Sequence, residues 1–299
     1  MSAMPKLSSN ITVCIFAYNE QARLERCVRN FTGLFDILVI DNCSTDATPE
    51  LARSLGCRCV SIRNPGFIET PEVMDPVLAE VRTDYVLVAM VGEFVPVALL
   101  QKYAEVANSG AFDVVLGFRV SVSGGKPIPF GSSSGRWTRH GQMRCFKKGA
   151  VSYAGNQVHG MGHVTCAKDR VISLVEDPSG CFYQFRDYDV SWSERKHATY
   201  NDILAKQMYA SGTRFSWLRM LYRSLKAFFD SYLRFGSYRY GTLGFIHSYY
   251  RLHMEMGIWL RIWEHQHSLD RNGVIAANDK AREKLEQADR ELRLQRGLE

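Results

Sequence analysis

The chain has 299 residues, of which 46% are hydrophobic, and its formal net charge is +6. This length can bury one large core, or one domain with an appendage. No run of about 18 uncharged apolar residues occurs, so the sequence argues against a membrane-spanning helix. Residues 1–10 lack the apolar stretch of a signal peptide, and we therefore expect a cytoplasmic protein.

The eight cysteines include no Cys-x-x-Cys pair. Cys57 and Cys59 would share one face of a predicted strand, an arrangement that could suggest a metal site. The preferred interpretation is that they are small buried hydrophobic side chains.

The first predicted unit is a strand, a helix and a second strand. Ile11–Ala17 is apolar and partly β-branched, residues 22–34 have apolar side chains at helical spacing, and residues 37–40 form a second apolar run. A crossover of this length joins two parallel strands. Polar residues follow both strands, at the edge where open α/β sheets bind ligands.

Two blocks carry a family resemblance: Ala17-Tyr18-Asn19-Glu20 after the first strand and Asp41-Asn42-Cys43-Ser44-Thr45-Asp46 after the second. Together they resemble the inverting glycosyltransferases of family 2, which have the GT-A fold. The resemblance implies that Ala17, Tyr18, Asn19, Glu20, Asp41, Ser44 and Asp46 bind the donor nucleotide, with Asp41 bonding the base. The alternative is that both blocks only begin helices, because Asn, Ser, Thr and Asp are good N-caps.

The following sequence continues as α/β. We predict helices over residues 48–55, 76–81 and 96–108 and strands over residues 57–62, 85–90 and 112–120, with Asp75 as the N-cap and Pro76 as the first residue of the second helix. A doubly wound, mostly parallel sheet with helices on both faces is the economical topology. We place the nucleotide-sugar-binding GT-A domain in residues 1–185 and a helical region in residues 186–299.

The stretch after the strand at residues 85–90 departs from the family. There the resemblance implies Asp-x-Asp, whose carboxylates hold Mg²⁺ or Mn²⁺ on the donor diphosphate, but this chain has Met90 and Gly92. Neither supplies the oxygen ligand that a hard cation requires. Glu93 could serve a metal alone, the enzyme could work without metal, or catalysis could be lost. Glu93 could also only favour the start of the next helix.

The segment after the sheet holds further candidates. Residues 121–135 are rich in Gly and Ser and predict a mobile binding loop. Arg144, with Lys147 and Lys148, could neutralise a leaving diphosphate in place of a metal, or these residues could form only a solvated basic turn. His159 stands where the lipopolysaccharide-core branch has a Val-His-Glu segment, but the glutamate is replaced by Gly160. We predict His159 and Glu93 as the catalytic residues. For His159, the alternative is a purely structural role.

The C-terminal region is aromatic and basic. Its helical period and interleaved Arg and Lys suit the surface of an anionic membrane, although packing on the sheet explains many of the rings. Nucleic-acid binding is not expected, because no recognised motif accompanies this composition. Residues 278–294 form a charged helix with a narrow apolar seam, which packs on its own domain or joins a homodimer.

The sequence thus predicts an inverting glycosyltransferase that is peripheral to the inner face of a bacterial membrane. Its donor would be a UDP-sugar, its acceptor a saccharide or a lipid-linked molecule, and its metal dependence low or absent. The rival hypothesis is a non-catalytic GT-A module that binds a sugar nucleotide or a partner glycosyltransferase. A nucleotidyltransferase is a weaker alternative, because no Gly-rich, Lys-containing phosphate loop follows the first strand.

Overall fold

The structure is a computed structural model that describes residues 7–296 apart from 124, 129–140, 157–160 and 187–189. The first part alternates strands and helices: β1 Ile11–Ala17, α1 Leu24–Phe31, β2 Asp36–Asp41, α2 Thr48–Ser54, β3 Arg58–Ser61, α3 Pro71–Glu80, β4 Tyr85–Met90, β5 Glu93–Phe94 and α4 Val97–Ser109. Strands then dominate: β6 Val114–Ser123, β7 Lys126–Ile128, β8 Gln142–Lys147, β9 Val151–Ser152, β10 His163–Val164, β11 Val171–Ser173 and β12 Cys181–Arg186.

One ten-stranded sheet organises this part, in the order β3-β2-β1-β4-β8-β6-β12-β5, with β7 and β11 also paired to β6. The half formed by β3, β2, β1 and β4 is entirely parallel. β8 runs antiparallel to β4 and β6 and begins the mixed half. The predicted α/β class, with a largely parallel sheet and a helical region after it, is confirmed.

Both faces of the parallel half are buried because its strands are apolar at consecutive positions. In β1, Ile11, Val13 and Ile15 point into the core beneath α1 and α4, whereas Cys14 points into a second core beneath α3. Strands buried on both faces are expected where crossover helices cover a parallel sheet. This rigid centre fixes the direction of the loops that leave β1, β2 and β4.

Two sequence predictions are corrected here. The third helix begins at Pro71 and not at Pro76, which lies inside it. The reason is that Pro71 suits the first helical position, where its missing N–H costs nothing. The Gly/Ser-rich segment, predicted to be a loop from residue 121, begins instead as a hairpin, because Ser121 and Ser123 of β6 pair with β7. The remainder of that predicted loop falls largely outside the described residues.

The C-terminal region is helical, as predicted: α5 Val190–Ala210, α6 Trp217–Phe229, α7 Gly241–His267 and α8 Arg271–Gln295, with a π-helical turn at Asp230–Arg234. α5, α6 and α7 share a small apolar core around Met220, Trp259 and Ile262. Within the described part of the chain, no helix has the length and apolar character needed to cross a membrane.

The terminal helix α8 has no buried residue. Leu285 and Leu292 of its seam are 72% and 43% exposed, so the seam does not pack on its own domain. The homodimer alternative stays a prediction, which sedimentation analysis of the chain would test.

Candidate functional site

The two sequence blocks meet at the carboxyl edge of the parallel half-sheet. Ala17, the last residue of β1, lies opposite Asp41, the last residue of β2. The Asn42 N–H donates to the Ala17 carbonyl at 2.9 Å. β4 ends at Met90, which lies opposite Phe16. The segments that follow β1, β2 and β4 therefore leave the sheet side by side, as the crossover pattern predicted.

The segments after β1 and β2 are hydrogen-bonded to each other. Ser44 Oγ accepts the Asn19 N–H, and Asn19 Oδ1 accepts the Thr45 N–H, both at 2.8 Å. Thr48 Oγ1 accepts the Glu20 N–H, also at 2.8 Å. Asn19 has φ +54°, a left-handed conformation that Asn adopts more readily than most residues. Asn19 and Ser44 thus hold the backbone of the edge, and contact with a nucleotide would be an additional role.

Asp46 has a similar structural task. Its Oδ1 accepts the Thr48 N–H at 3.0 Å and its Oδ2 accepts the Gln21 N–H at 3.2 Å. Desolvation by itself would raise the pKa of this carboxyl, but the hydrogen bonds from Thr48 and Gln21 lower the pKa below its usual value. Asp46 is therefore an ionised acceptor that joins the two loops at neutral pH. Its predicted contact with the nucleotide stays a prediction.

Asp41 differs from these residues because one of its oxygens has no partner. The residue is 1% exposed. Oδ2 accepts the Ser44 N–H at 3.1 Å and lies 3.4 Å from Ser61 Oγ. Oδ1 is buried and has no hydrogen-bond partner in the described part of the chain. A buried acceptor without a donor costs free energy, so a ligand N–H placed here would be favourable.

Two exposed aromatic rings lie at the same edge. Tyr18 and Phe67 contact each other edge-to-face, with ring centroids 5.5 Å apart, and are 42% and 43% exposed. Phe67 belongs to the loop after β3, which the side chain of Asn42 fastens to β2. Asn42 Nδ2 donates to the Asn64 carbonyl at 2.8 Å, and Asn42 Oδ1 accepts the Asn64 N–H at 2.5 Å. Flat rings beside a buried acceptor suit a planar base.

Glu93 and Arg144 are brought together as a buried ion pair. Arg144 Nη2 donates to Glu93 Oε1, and the two side chains are only 5% and 1% exposed. Glu93 Oε2 accepts the Met90 N–H at 3.0 Å, which fixes the turn between β4 and β5. The Arg144 guanidinium lies over the ring of Phe182, 4.9 Å from its centroid. The pair thus joins β5, β8 and β12 beneath the site edge.

A bulge explains why Arg144 points into this pair. β6 pairs Val115 with Cys145 but the next residue, Leu116, with Met143, so Arg144 is the extra residue. A bulge of this kind redirects the side chain of the residue that it contains. It stays a prediction that Arg144 binds the sugar donor and that Glu93 is a catalytic or metal-binding residue. Either role would have to compete with the ion pair between them.

A sequence comparison decides the family. The model of glycosyl transferase family 2 matches residues 12–165, which is just over half of the chain. The chain belongs to glycosyl transferase family 2. Its family-2 domain contains both sequence blocks, the β4–β5 turn and Arg144. Among curated protein sequences, none matches the chain.

Solved structures of similar shape have little sequence identity to this chain. S. aureus TarS 1–349 in complex with UDP-GlcNAc is 11% identical over 86% of this chain and 91% of its own, with a TM-score of 0.43. The match to a longer S. aureus TarS chain spans 46% of that chain's length. Glucosyl-3-phosphoglycerate synthase from Mycobacterium tuberculosis, with Mn²⁺ and UDP-glucose, is 14% identical over 70% of this chain and 81% of its own, with a TM-score of 0.43. The mannosyltransferase PcManGT from Pyrobaculum calidifontis, with GDP-Man and Mn²⁺, is 12% identical over 94% of this chain and 87% of its own, with a TM-score of 0.42.

The β4–β5 turn, where the family resemblance implies a metal site, does not fit Mg²⁺ or Mn²⁺. Met90 and Gly92 offer no side-chain oxygen, and the carboxylate of Glu93 is turned into its pair with Arg144. Among the described residues, no group of three His, Cys, Asp or Glu side chains is arranged to hold a metal ion. A divalent cation prefers several oxygen ligands, so this donor set is poor.

Two of the predicted phosphate-binding cations lie away from this edge. Lys147 pairs with Tyr85, the first residue of β4, and therefore stands at the opposite end of the sheet from Met90. Lys148 Nζ donates to the Val81 carbonyl at 2.9 Å, before β4 begins. The prediction that these lysines face the diphosphate is therefore wrong. Sequence spacing could not reveal it, because the direction of β8 was unknown.

Sequence reasoning missed Glu69, which lies on the loop between Asn64 and α3. Burial raises the pKa of its carboxyl, although the positive charge of Arg144 acts in the opposite direction. Asn156 Nδ2 holds the Glu69 carbonyl at 2.7 Å. A carboxyl group of raised pKa is a candidate proton acceptor. His159, the base predicted from sequence, lies outside the described residues.

Proposed function

We propose that this protein transfers a sugar from a nucleotide-sugar, in the first instance a UDP-sugar, to a saccharide or lipid-linked acceptor with inversion at the anomeric carbon. The setting we propose is the synthesis of bacterial cell-surface glycan. The observation that carries the donor class is Asp41 Oδ1, a buried acceptor without a described partner at the sheet edge that also carries the rings of Tyr18 and Phe67. An imide N–H of uracil would satisfy that oxygen.

The proposed reaction is a single displacement. The acceptor hydroxyl oxygen bonds to the anomeric carbon as the bond from that carbon to the diphosphate oxygen breaks. The hydroxyl proton passes to a base, for which His159 and Glu69 are the candidates. Histidine side chains are common proton acceptors in catalysis, and burial raises the pKa of the Glu69 carboxyl above its usual value, which makes it a better proton acceptor.

Metal dependence tests the proposal most directly. The dissociation constants of UDP and CMP would be measured with Mn²⁺ and with EDTA, together with donor hydrolysis over a panel of nucleotide-sugars. We expect EDTA to change UDP affinity by only a small factor, because Met90 and Gly92 provide no carboxylate to bridge through a metal. Donors with one phosphate would also bind, since they carry less charge to neutralise.

The outcomes separate the rival hypotheses. A hundredfold loss of affinity in EDTA, about 2.7 kcal/mol, would mean that the protein forms a full metal site after all. Turnover of a donor would support the transferase. The absence of detectable nucleotide binding in either condition would favour the non-catalytic module whose ligand is a partner glycosyltransferase.

We also propose that α6 and the rings next to it contact an anionic membrane surface. Five exposed apolar side chains of α6 share one face of the helix and form a stripe: Leu218, Leu221, Tyr222, Leu225 and Phe229. The opposite side of the helix, around Met220 and Ser224, is buried. The stripe continues into five rings whose neighbouring centroids are 5.4 to 6.3 Å apart: Phe228, Phe229, Tyr232, Tyr238 and Phe245. Such an apolar surface beside Arg219 and Lys226 suits headgroup contact.

Liposome flotation tests this contact. We expect the protein to float with anionic vesicles but less with neutral ones, and high salt to weaken the effect. The double variant Leu218→Ser/Leu225→Ser should float less, whereas Leu285→Ser, which alters an exposed leucine on α8, should behave as the wild type. Equal partitioning of the wild type to neutral and anionic vesicles would contradict the role of charge.

A further inference from the structure

The donor diphosphate needs a positive partner if no metal is held at the β4–β5 turn. A dianion in a closed site is costly without compensation. Arg144 lies buried against Glu93, and Lys147 and Lys148 stand at the far end of β4. These three predicted cations therefore leave the diphosphate without an evident partner at the turn.

The side chain that approaches this turn is Arg23, one residue before α1. Its Nη1 lies 3.6 Å from the point where a Cβ would stand on Gly92. That position is the second carboxylate of the Asp-x-Asp pair that family resemblance leads one to expect. A guanidinium thus lies beside the residue at which the resemblance implies a metal-binding carboxylate.

Glu20 fixes the orientation of this guanidinium. Arg23 Nε donates to Glu20 Oε2 at 2.7 Å, and Nη2 donates to Oε1 at 2.5 Å. The side chain remains 32% exposed, so it is accessible to a ligand and not part of the core. A guanidinium has five donors in a rigid plane, and the bidentate pair with Glu20 determines which edge turns toward Gly92. In this arrangement Glu20 positions Arg23 for the donor. The sequence had predicted that Glu20 itself contacts the nucleotide.

Gly92 itself belongs to the same arrangement. The Phe185 N–H donates to the Gly92 carbonyl at 2.7 Å, which binds the turn to β12. A Cβ on residue 92 would lie 3.0 Å from the Phe185 carbonyl oxygen, closer than most such contacts. A carboxylate there would also meet Arg23 and pair with it. An aspartate at position 92 and a phosphate-binding Arg23 therefore exclude each other.

We propose that Arg23 binds a phosphate of the donor. Glu20 orients its guanidinium, and Gly92 leaves room for it because it has no side chain. The positive charge of Arg23 then takes the place of the metal that two aspartates would hold. The inference rests on the proposed nucleotide-sugar function and identifies Arg23 as the residue that binds the phosphates. Arginine suits the task because its planar donors can engage two phosphate oxygens at once.

The test compares UDP with uridine, by calorimetry in EDTA, for the wild type, Arg23→Ala and Arg23→Lys. We expect the wild type to bind UDP more tightly than uridine. Arg23→Ala should weaken UDP binding about 10- to 100-fold, the range of a charge-assisted hydrogen bond, and leave uridine binding unchanged. Arg23→Lys, which retains the charge but not the planar donors, should lie between the two.

Arg29→Ala is the matched control, because Arg29 also pairs with a glutamate on α1 but its side chain is 75% exposed. Its affinity for UDP should equal that of the wild type. Unchanged UDP affinity in Arg23→Ala, an equal loss for UDP and uridine, or a wild type that binds both ligands equally would overturn the inference while leaving the nucleotide site intact. A wild type that binds neither ligand would overturn the proposed function as well.

Discussion

Arg144→Met should destabilise the protein by about 3–5 kcal/mol, measured as the free energy of unfolding in urea. The variant keeps most of the side-chain volume but leaves the carboxylate of Glu93 buried without its ionic partner. The Glu93 pair with the Met90 N–H would persist, but one hydrogen bond cannot offset the desolvation of a charge. If Arg144 served only the donor, the same variant would lose ligand affinity with little change in stability.

A second substitution in the same experiment removes the buried charge that has lost its partner. Adding Glu93→Gln to Arg144→Met should recover part of the lost stability, because the buried group is then neutral. Arg282→Met provides the control, since Arg282 pairs with Glu286 at 2.8 Å on the surface and its side chain is 79% exposed. That loss should stay within ~0.2–1 kcal/mol, the usual range for exposed pairs. A cost of this small size for Arg144→Met would show that the buried pair is not essential to the fold.

Asp41→Ala should weaken UDP binding by about 1.5–3 kcal/mol, the magnitude of a hydrogen bond to a charged group. The expectation follows from Asp41 Oδ1, which is buried at the end of β2 and has no partner among the described residues. Calorimetry of the wild type and the variant with UDP measures the difference directly. Because Asp41 also accepts the Ser44 N–H at 3.1 Å, circular dichroism must first establish that the loop variant is folded.

A residue on the same strand supplies the control for Asp41. Asp36 begins β2 at the opposite edge of the sheet, and its side chain is 40% exposed beside Arg58. Asp36→Ala should therefore bind UDP as the wild type does. Equal affinity in a folded Asp41→Ala variant would remove Asp41 from the nucleotide site.

The sequence was most informative where one local pattern determined the structure. Apolar runs located β1, β2 and β4 closely, and the crossover length implied the parallel order that brings Ala17 beside Asp41. The conserved geometry of such crossovers also placed the two polar blocks at one edge. These predictions needed no knowledge of contacts between residues that are distant in the chain.

Other features depend on long-range contacts and were not predictable. Glu93 and Arg144 lie 51 positions apart, and their pairing requires the direction of β8 and the bulge within it. Phe67 reaches the site because Asn42 bonds to Asn64, which lies 22 positions away in the chain. The start of α3 was misplaced because two prolines, Pro71 and Pro76, each gave a plausible first helical residue.

The bond pattern between Asn42 and Asn64 has a consequence for the thermodynamics of binding. One amide side chain both donates to and accepts from the backbone of a single residue, as a neighbouring strand would, and so lengthens the β2–β3 ladder by one rung made of side-chain atoms. The Ile68 N–H, which donates to Asn64 Oδ1 at 3.0 Å, tightens the same loop around Phe67. The backbone that carries the ring thus loses its conformational entropy during folding and not when a nucleotide arrives. A site preorganised in this way retains more of its contact energy as affinity.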